Sequence, residues 1–202
     1  MRKLIINLIV PVILLSGAIF GLIVKDWGMV FYAISSIILC GFLPVLSYLM
    51  KKDTAVWKNF AVDVFVFFSV FCSNMFNFYH RWWWYDIALH MLSGVFIALI
   101  IPDLIIPEQT GKVMGKYQWM AFSIIIAIAA AGFWEITEFF FDLIAAGDVQ
   151  RNLTIEKELF GAEWQNPGIR DTMNDIINGT IGGIVGSFYF LVKKKQPNRS
   201  EE

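Results

Sequence analysis

Residues 4–24 read LIINLIVPVILLSGAIFGLIV and contain no charged side chain. An α-helix rises 1.5 Å per residue, so about 20 apolar residues cross the roughly 30 Å hydrocarbon core of a bilayer. The run is long for the apolar core of a secretory signal peptide, and no convincing small-residue cleavage site follows it. The stretch therefore predicts a transmembrane helix that the chain retains.

Further along the chain, five more apolar stretches have a similar length. They cover about residues 29–50, 60–78, 83–106, 117–145 and 172–192. The composition agrees with this count, because 57% of residues are hydrophobic and 16% are charged, with a mean hydropathy of +0.62. Soluble domains have about 25% charged residues. The sequence predicts an all-α, polytopic membrane bundle of six transmembrane helices, forming one integral membrane domain over residues 1–202.

The positions of Lys and Arg predict the orientation of these helices. With the N-terminus inside, five of the 16 Lys and Arg residues fall in outer segments, and the other eleven fall in cytoplasmic ones. Cytoplasmic segments of membrane proteins are enriched in both residues, so both termini are predicted to be cytoplasmic. The net charge of −1 and the absence of a basic face argue against nucleic-acid binding.

Three of the predicted helices have polar side chains at spacings of three or four residues, which place them on one face. They are Asp86 and His90 on the fourth helix, Glu135, Glu138 and Asp142 on the fifth, and Asp171, Asp175 and Asn178 on the sixth. On the predicted topology, all three sets lie in the outer halves of their helices. Ionisable groups within a membrane are costly and are usually functional. We therefore expect one shared polar cavity, open toward the outer side.

A divalent cation would relieve the repulsion between so many carboxylates. Carboxylates with one imidazole and side-chain amides suit Mg²⁺, Mn²⁺ or Ca²⁺, whereas Zn²⁺ prefers more His or Cys. The predicted metal ligands are Asp86, His90, Glu135, Glu138 and Asp175. The predicted residues around them, supporting the ligands or facing a substrate, are Asp142, Asp171 and Asn178. The alternative is a hydrogen-bonded structural network, with Asp86 and Asp171 favoured by the dipoles at their helix starts and Asp142 reaching the interface from a helix end.

The remaining segments give weaker indications. Helices within residues 1–80 have no distinctive motif, and Asp63 and Asp103 are interpreted as capping or anchoring groups near the inner face. The motif-bearing helices occupy residues 82–192, with an outer loop at about 146–170 that is either a lid or a solvated connection. The Asn166-Pro167-Gly168 tripeptide predicts a turn before the sixth helix. Closely spaced glycines on that helix predict a seam of close helix packing; they are Gly179, Gly182, Gly183 and Gly186.

Three motifs give the chain a family resemblance. They are YDIALH at 85–90, FWEITEFFFD at 133–142 and IRDTMNDIINGTIGGIVG at 169–186. In this order they resemble the YjdF-like bacterial inner-membrane proteins, a family without a settled activity, and more distantly the VanZ-like proteins. The resemblance implies a multi-pass protein of the bacterial cytoplasmic membrane. VanZ-like motifs usually have Gln where this chain has Glu138, which makes the present site more acidic.

The VanZ-like resemblance also implies a place of action. VanZ is associated with resistance to lipoglycopeptides, which act at the outer face of the membrane, so a site near lipid headgroups or lipid-linked wall precursors would fit. The leading hypothesis is a metal-dependent enzyme acting on a membrane lipid or lipid-linked substrate of the cell envelope. Glu138 or His90 would be the general base, and Arg170 would hold a phosphate or carboxylate. The alternatives are an ion or proton carrier and a non-catalytic membrane helper of the VanZ-like antibiotic-resistance type. The sequence leaves the substrate and the oligomeric state open.

Overall fold

The computed structural model describes residues 2–145 and 167–192, and every regular element in these ranges is helical. The predicted outer loop falls mostly on residues 146–166, which lie outside the described residues. The chain forms two compact units, residues 1–89 and 90–202. The boundary between them falls within the helix Tyr85–Ile105, which is continuous.

The first unit contains six α-helices and one π-helical segment. They are α1 (Arg2–Val24), α2 (Trp27–Cys40), α3 (Phe42–Leu49), α4 (Val56–Val66), the π-helix (Phe67–Cys72), α5 (Ser73–Met75) and α6 (Phe78–Arg81). The helices that follow are α7 (Tyr85–Ile105), α8 (Glu108–Val113), α9 (Lys116–Ala145), α10 (Pro167–Ser187) and α11 (Tyr189–Val192).

Six stretches of the described chain are long and apolar enough to cross a membrane. They are Ile6–Val24, Trp27–Leu49, Val56–Met75, Tyr85–Ile105, Lys116–Ile144 and Gly168–Val192. The predicted all-α architecture with six spans is thereby confirmed. The predicted turn at Pro167 and Gly168 is wrong, because α10 begins at Pro167. Proline is well suited to a first helical position, where the backbone N–H that it lacks would have no partner within the helix.

An apolar cluster shared by α1, α2, α4 and the π-helix forms the core of the first unit. Its buried members are Val10, Leu14, Ala18, Ala33, Cys40, Val66, Phe71 and Cys72. The members on α1 recur every four residues and so share one face of that helix. Leu8, Ile9 and Ile13 of α1 lie outside this face and are exposed. Apolar side chains on an outward helix surface suit contact with lipid.

The π-helix widens the helical turn, and the Phe68 carbonyl accepts from the backbone N–H of Ser73, five residues further on. Side-chain hydroxyls provide additional donors to carbonyls of this segment. The Tyr85 hydroxyl donates to the Phe68 carbonyl at 2.8 Å, and the Tyr79 hydroxyl donates to the Ser69 carbonyl at 3.1 Å. Tyr79, which follows the third span, and Tyr85, which begins the fourth, therefore add support to this irregular turn.

Glycines allow very close helix packing in the second unit, where α9 also packs along α10 and α11. A Cβ atom added to Gly94 of α7 would overlap the backbone of Gly179 on α10, and one added to Gly182 would overlap the Met91 carbonyl. A Cβ atom on Gly183 would overlap Ala127 of α9. The predicted packing seam is confirmed, and both α7 and α9 lie against it.

Candidate functional site

The crossing of α7 and α10 places His90 opposite Asp175. His90 lies one turn before Gly94, and Asp175 lies one turn before Gly179, which are the two glycines that contact at the crossing. The His90 Nε2 atom is 3.5 Å from the Asp175 Oδ2 atom. The side chains of His90 and Asp175 are only 13% and 5% exposed, respectively. The glycine seam thus positions an imidazole and a carboxylate together in a largely buried setting.

Asp86 joins this pair because it lies one turn before His90 on the same continuous helix. Ligand atoms of Asp86, His90 and Asp175 all lie within 4.8 Å of one another. Two atoms that each coordinate one ion at about 2.0–2.6 Å can be at most about 5 Å apart. The three side chains therefore meet the distance requirement for binding a single metal ion.

Two glutamates of α9 extend the acidic site. Glu135 is buried, with 4% exposure. Glu138 lies one turn further along α9, close enough to Glu135, His90 and Asp175 for their charges to interact. Glu138 is half-buried and accepts a 2.7 Å hydrogen bond from the Trp134 indole Nε1 atom. The second unit thus brings polar side chains of all three motif-bearing helices into one region.

The other predicted site residues differ in their burial. Asp171 lies one turn before Asp175 on α10 and is buried, whereas Arg170 is exposed. Asp142 and Asn178 are half-buried and follow Glu138 and Asp175 by about one turn. Because α10 begins at Pro167, Arg170 and Asp171 belong to its first turn and a half. Their predicted supporting roles stay predictions, since the geometry alone does not assign them.

The group with metal-binding distances contains Asp86, His90 and Asp175 among the described residues. One imidazole and two carboxylates match the mixed nitrogen and oxygen ligands of Mn²⁺ and of similar divalent ions. Three protein ligands would leave coordination positions for water or substrate oxygens. Glu135 and Glu138 were also predicted as ligands, but they are not part of this group of three. They are therefore available for proton transfer or for support of the ligands. The five-residue ligand set stays a prediction.

The role of Trp134 was missed in the sequence. Its indole Nε1 atom donates a hydrogen bond to Glu138, a glutamate of the site. The spacing of four residues between Trp134 and Glu138 was the available signal, since such pairs are neighbours on a helix. Trp134 is also exposed. The Trp134–Glu138 hydrogen bond therefore connects the acidic region with the exposed surface of α9.

Comparison with protein families gives one match that covers nearly the whole chain. Residues 4–196 match a family described as "Predicted membrane protein (DUF2238)". YjdF is the archetype of this family, which supports the predicted YjdF-like relation, whereas the relation to VanZ-like proteins stays a prediction. Neither the curated proteins nor the solved structures give a significant match.

Proposed function

Because the chain belongs to the DUF2238 family of predicted membrane proteins, we propose that this multi-pass protein is a metal-dependent enzyme acting on a lipid headgroup or a lipid-linked substrate. The observation that carries the proposal is the meeting of Asp86, His90 and Asp175, whose ligand atoms lie within 4.8 Å of one another. Ionisable residues within membrane spans are costly and usually functional.

The proposed cation is divalent, with Mg²⁺, Mn²⁺ or Ca²⁺ preferred over Zn²⁺, since two of the three ligands are carboxylates. Such an ion supplies Lewis acidity toward a phosphoryl or carbonyl oxygen and lowers the pKa of a bound water. The protein supplies the placement of the ligands. His90 and Asp175 are held by the glycine-mediated crossing of α7 and α10, so little rearrangement is needed for binding.

Glu138 is the proposed general base. It is half-buried beside the ligand group, and the Trp134 indole holds one of its carboxylate oxygens at 2.7 Å. A carboxylate held in this way is positioned to accept a proton from an attacking water while keeping a fixed orientation. Glu135, which is more deeply buried, would support the ligand group rather than meet a substrate.

The proposed substrate reaches the site from the membrane. Trp134 and Phe141 of α9 are exposed aromatic residues about one turn before and one turn after Glu138, which suits contact with the acyl chains of a lipid. Arg170 is exposed at the start of α10. Its guanidinium can bind a phosphate or carboxylate there through two parallel hydrogen bonds. The distribution of Lys and Arg predicts that this end of the helices faces outward. The proposed location is therefore the outer face of a bacterial cytoplasmic membrane.

The test is turnover of labelled phospholipids and polyprenyl phosphates by the full chain in mild detergent with Mn²⁺ or Mg²⁺. Glu138→Gln should reduce turnover at least about 100-fold, because general-base catalysis contributes about 10²–10⁴. The matched control is Glu108→Gln, which removes an exposed carboxylate paired with Lys112 on α8, and it should retain full activity. Turnover that is equal in wild type and Glu138→Gln would exclude Glu138 from catalysis.

Absence of turnover on every lipid class, together with metal-dependent ion flux in proteoliposomes, would favour the carrier alternative.

A further inference from the structure

Another buried acid lies in the first unit, away from the motifs discussed above. Asp63 was predicted to cap or anchor a helix, and this interpretation is wrong. The residue lies two turns inside α4, its exposure is 4%, and it hydrogen-bonds with the Cys40 thiol of α2. Within the described part of the chain, no Lys or Arg forms an ion pair with Asp63. A carboxylate at this depth requires compensation of its charge.

Neutral oxygen groups lie on the same side of α4. Asn59 precedes Asp63 by one turn and is also buried, so the two side chains share a helix face. The Thr54 hydroxyl donates to the Asn59 Oδ1 atom at 2.9 Å, and the Ser47 hydroxyl donates to Thr54 at 3.3 Å. A carbonyl oxygen has two lone pairs, so Asn59 Oδ1 can accept this bond and still coordinate a cation.

A third oxygen comes from α1. The Asn7 Oδ1 atom is buried and has no hydrogen-bond partner among the described residues. Asn7 lies one turn before Val10, a member of the apolar cluster that also contains Cys40 and Val66. Asp63 lies one turn before Val66 on α4. Asn7 and Asp63 thus each lie one turn before a member of the shared apolar cluster, on two helices that pack against each other. A buried amide oxygen without a donor is costly, and a bound cation would remove that cost.

We infer that Asp63, Asn59 and Asn7, with the Thr54 hydroxyl beside them, form a binding site for a monovalent cation, Na⁺, in the membrane-embedded part of the first unit. The ligand atoms are all hard oxygens, which suit alkali and alkaline-earth ions rather than transition metals. One carboxylate balances one positive charge. A divalent ion would retain a net charge in a region of low dielectric constant, which is unfavourable.

The backbone next to Asp63 is consistent with a binding role. The π-helix begins at Phe67, four residues after Asp63. π-helical segments within α-helices occur frequently at functional sites. The site differs from the proposed metal site in its ligands, its charge and the helices that provide it, so each proposal can be tested without the other.

The first test is binding of ²²Na⁺ to the full chain in mild detergent, with choline chloride as the balancing salt. Wild type should bind close to one Na⁺ per chain, and Asp63→Asn should lose this binding by at least tenfold. The matched control is Asp103→Asn, which makes the same change in another membrane span, and it should bind Na⁺ as wild type does. No saturable Na⁺ binding by wild type, or binding that persists in Asp63→Asn, would overturn the proposal.

A second measurement needs no variant and so does not depend on the folding of Asp63→Asn. Dicyclohexylcarbodiimide modifies protonated carboxyl groups within membranes, and peptide mass spectrometry identifies the modified residue. Sodium chloride should slow modification of Asp63 at least fivefold relative to choline chloride at equal ionic strength, because bound Na⁺ would exclude the proton. Modification of Asp63 at the same rate in both salts would indicate a proton-binding residue and overturn the Na⁺ assignment.

Discussion

The His90 Nε2 atom lies 3.5 Å from the Asp175 Oδ2 atom, across the point where α7 and α10 cross. This pair depends on glycines one turn away, because Gly94 and Gly179 bring the two backbones together. The chemistry of the site and the packing of the second unit are therefore linked, and each can be tested by a different substitution.

We expect Gly182→Ala to destabilise the protein by about 3 kcal/mol, at the upper end of the cost of overpacking. The added methyl group would overlap the Met91 carbonyl, and backbone atoms cannot move aside as a flexible side chain can. The free energy of unfolding is measured in detergent, with circular dichroism as the probe of helix content.

Gly132→Ala is the matched control, since a Cβ atom there meets nothing within 4 Å. Alanine is favoured over glycine in helices by about 1 kcal/mol, so this variant should be as stable as wild type or more stable. Equal destabilisation of both variants would show that the close crossing does not determine stability.

The helix crossings separate what could be predicted from the sequence from what could not. The spans followed from the length of the apolar runs, and the shared face of Asp86 and His90 followed from helical periodicity. Contact between α7 and α10 could only be suspected from the small residues on α10, because the sequence does not say which helix packs against them. The role of Gly94 was not predicted at all.

The two wrong predictions, at Asp63 and at Pro167, have a common physical origin. Asp63 lies near the start of its predicted span, where an acid usually serves as a cap, but the helix begins earlier, at Val56, and buries it. Pro167 was interpreted as part of a turn, although proline is equally suited to the first helical position. In both cases the residue at which the helix starts determines the surroundings of the side chain. The amino-acid pattern alone gives that residue poorly.

We expect Tyr85→Phe to destabilise the first unit by about 1 kcal/mol, the usual net value of one hydrogen bond. The variant would remove the donor to the Phe68 carbonyl in the π-helix. Thermal unfolding in detergent measures the effect. Tyr48→Phe, at an exposed position, is the control and should leave the unfolding temperature unchanged. A Tyr85→Phe variant with the same unfolding temperature as wild type would show that the π-helix does not need this support.

Trp134→Phe should lower turnover about tenfold while metal binding persists. The change keeps an aromatic ring on α9 but removes the indole N–H that holds the Glu138 carboxylate. Initial rates and metal content are measured on the same preparations. Trp134→Phe with wild-type turnover would mean that Glu138 needs no such orientation, and loss of metal would place Trp134 in support of the ligands instead.

The orientation of the helices can be tested separately. Lys and Arg positions predict that both termini face the cytoplasm. A green fluorescent protein fused after residue 202 should fluoresce, and alkaline phosphatase at the same place should be inactive. Alkaline phosphatase inserted within residues 146–166 should be active. The opposite pattern would place the acidic site at the cytoplasmic face and remove the case for an outer-leaflet substrate.

The most direct test of the central claim is metal content by mass spectrometry on protein purified in mild detergent after supply of Mg²⁺, Mn²⁺, Ca²⁺ and Zn²⁺. Wild type and Glu108→Gln should each retain close to one divalent ion per chain, whereas His90→Ala and Asp175→Asn should each lose it. Absence of metal from wild type, or equal metal in all four proteins, would contradict a metal site at Asp86, His90 and Asp175.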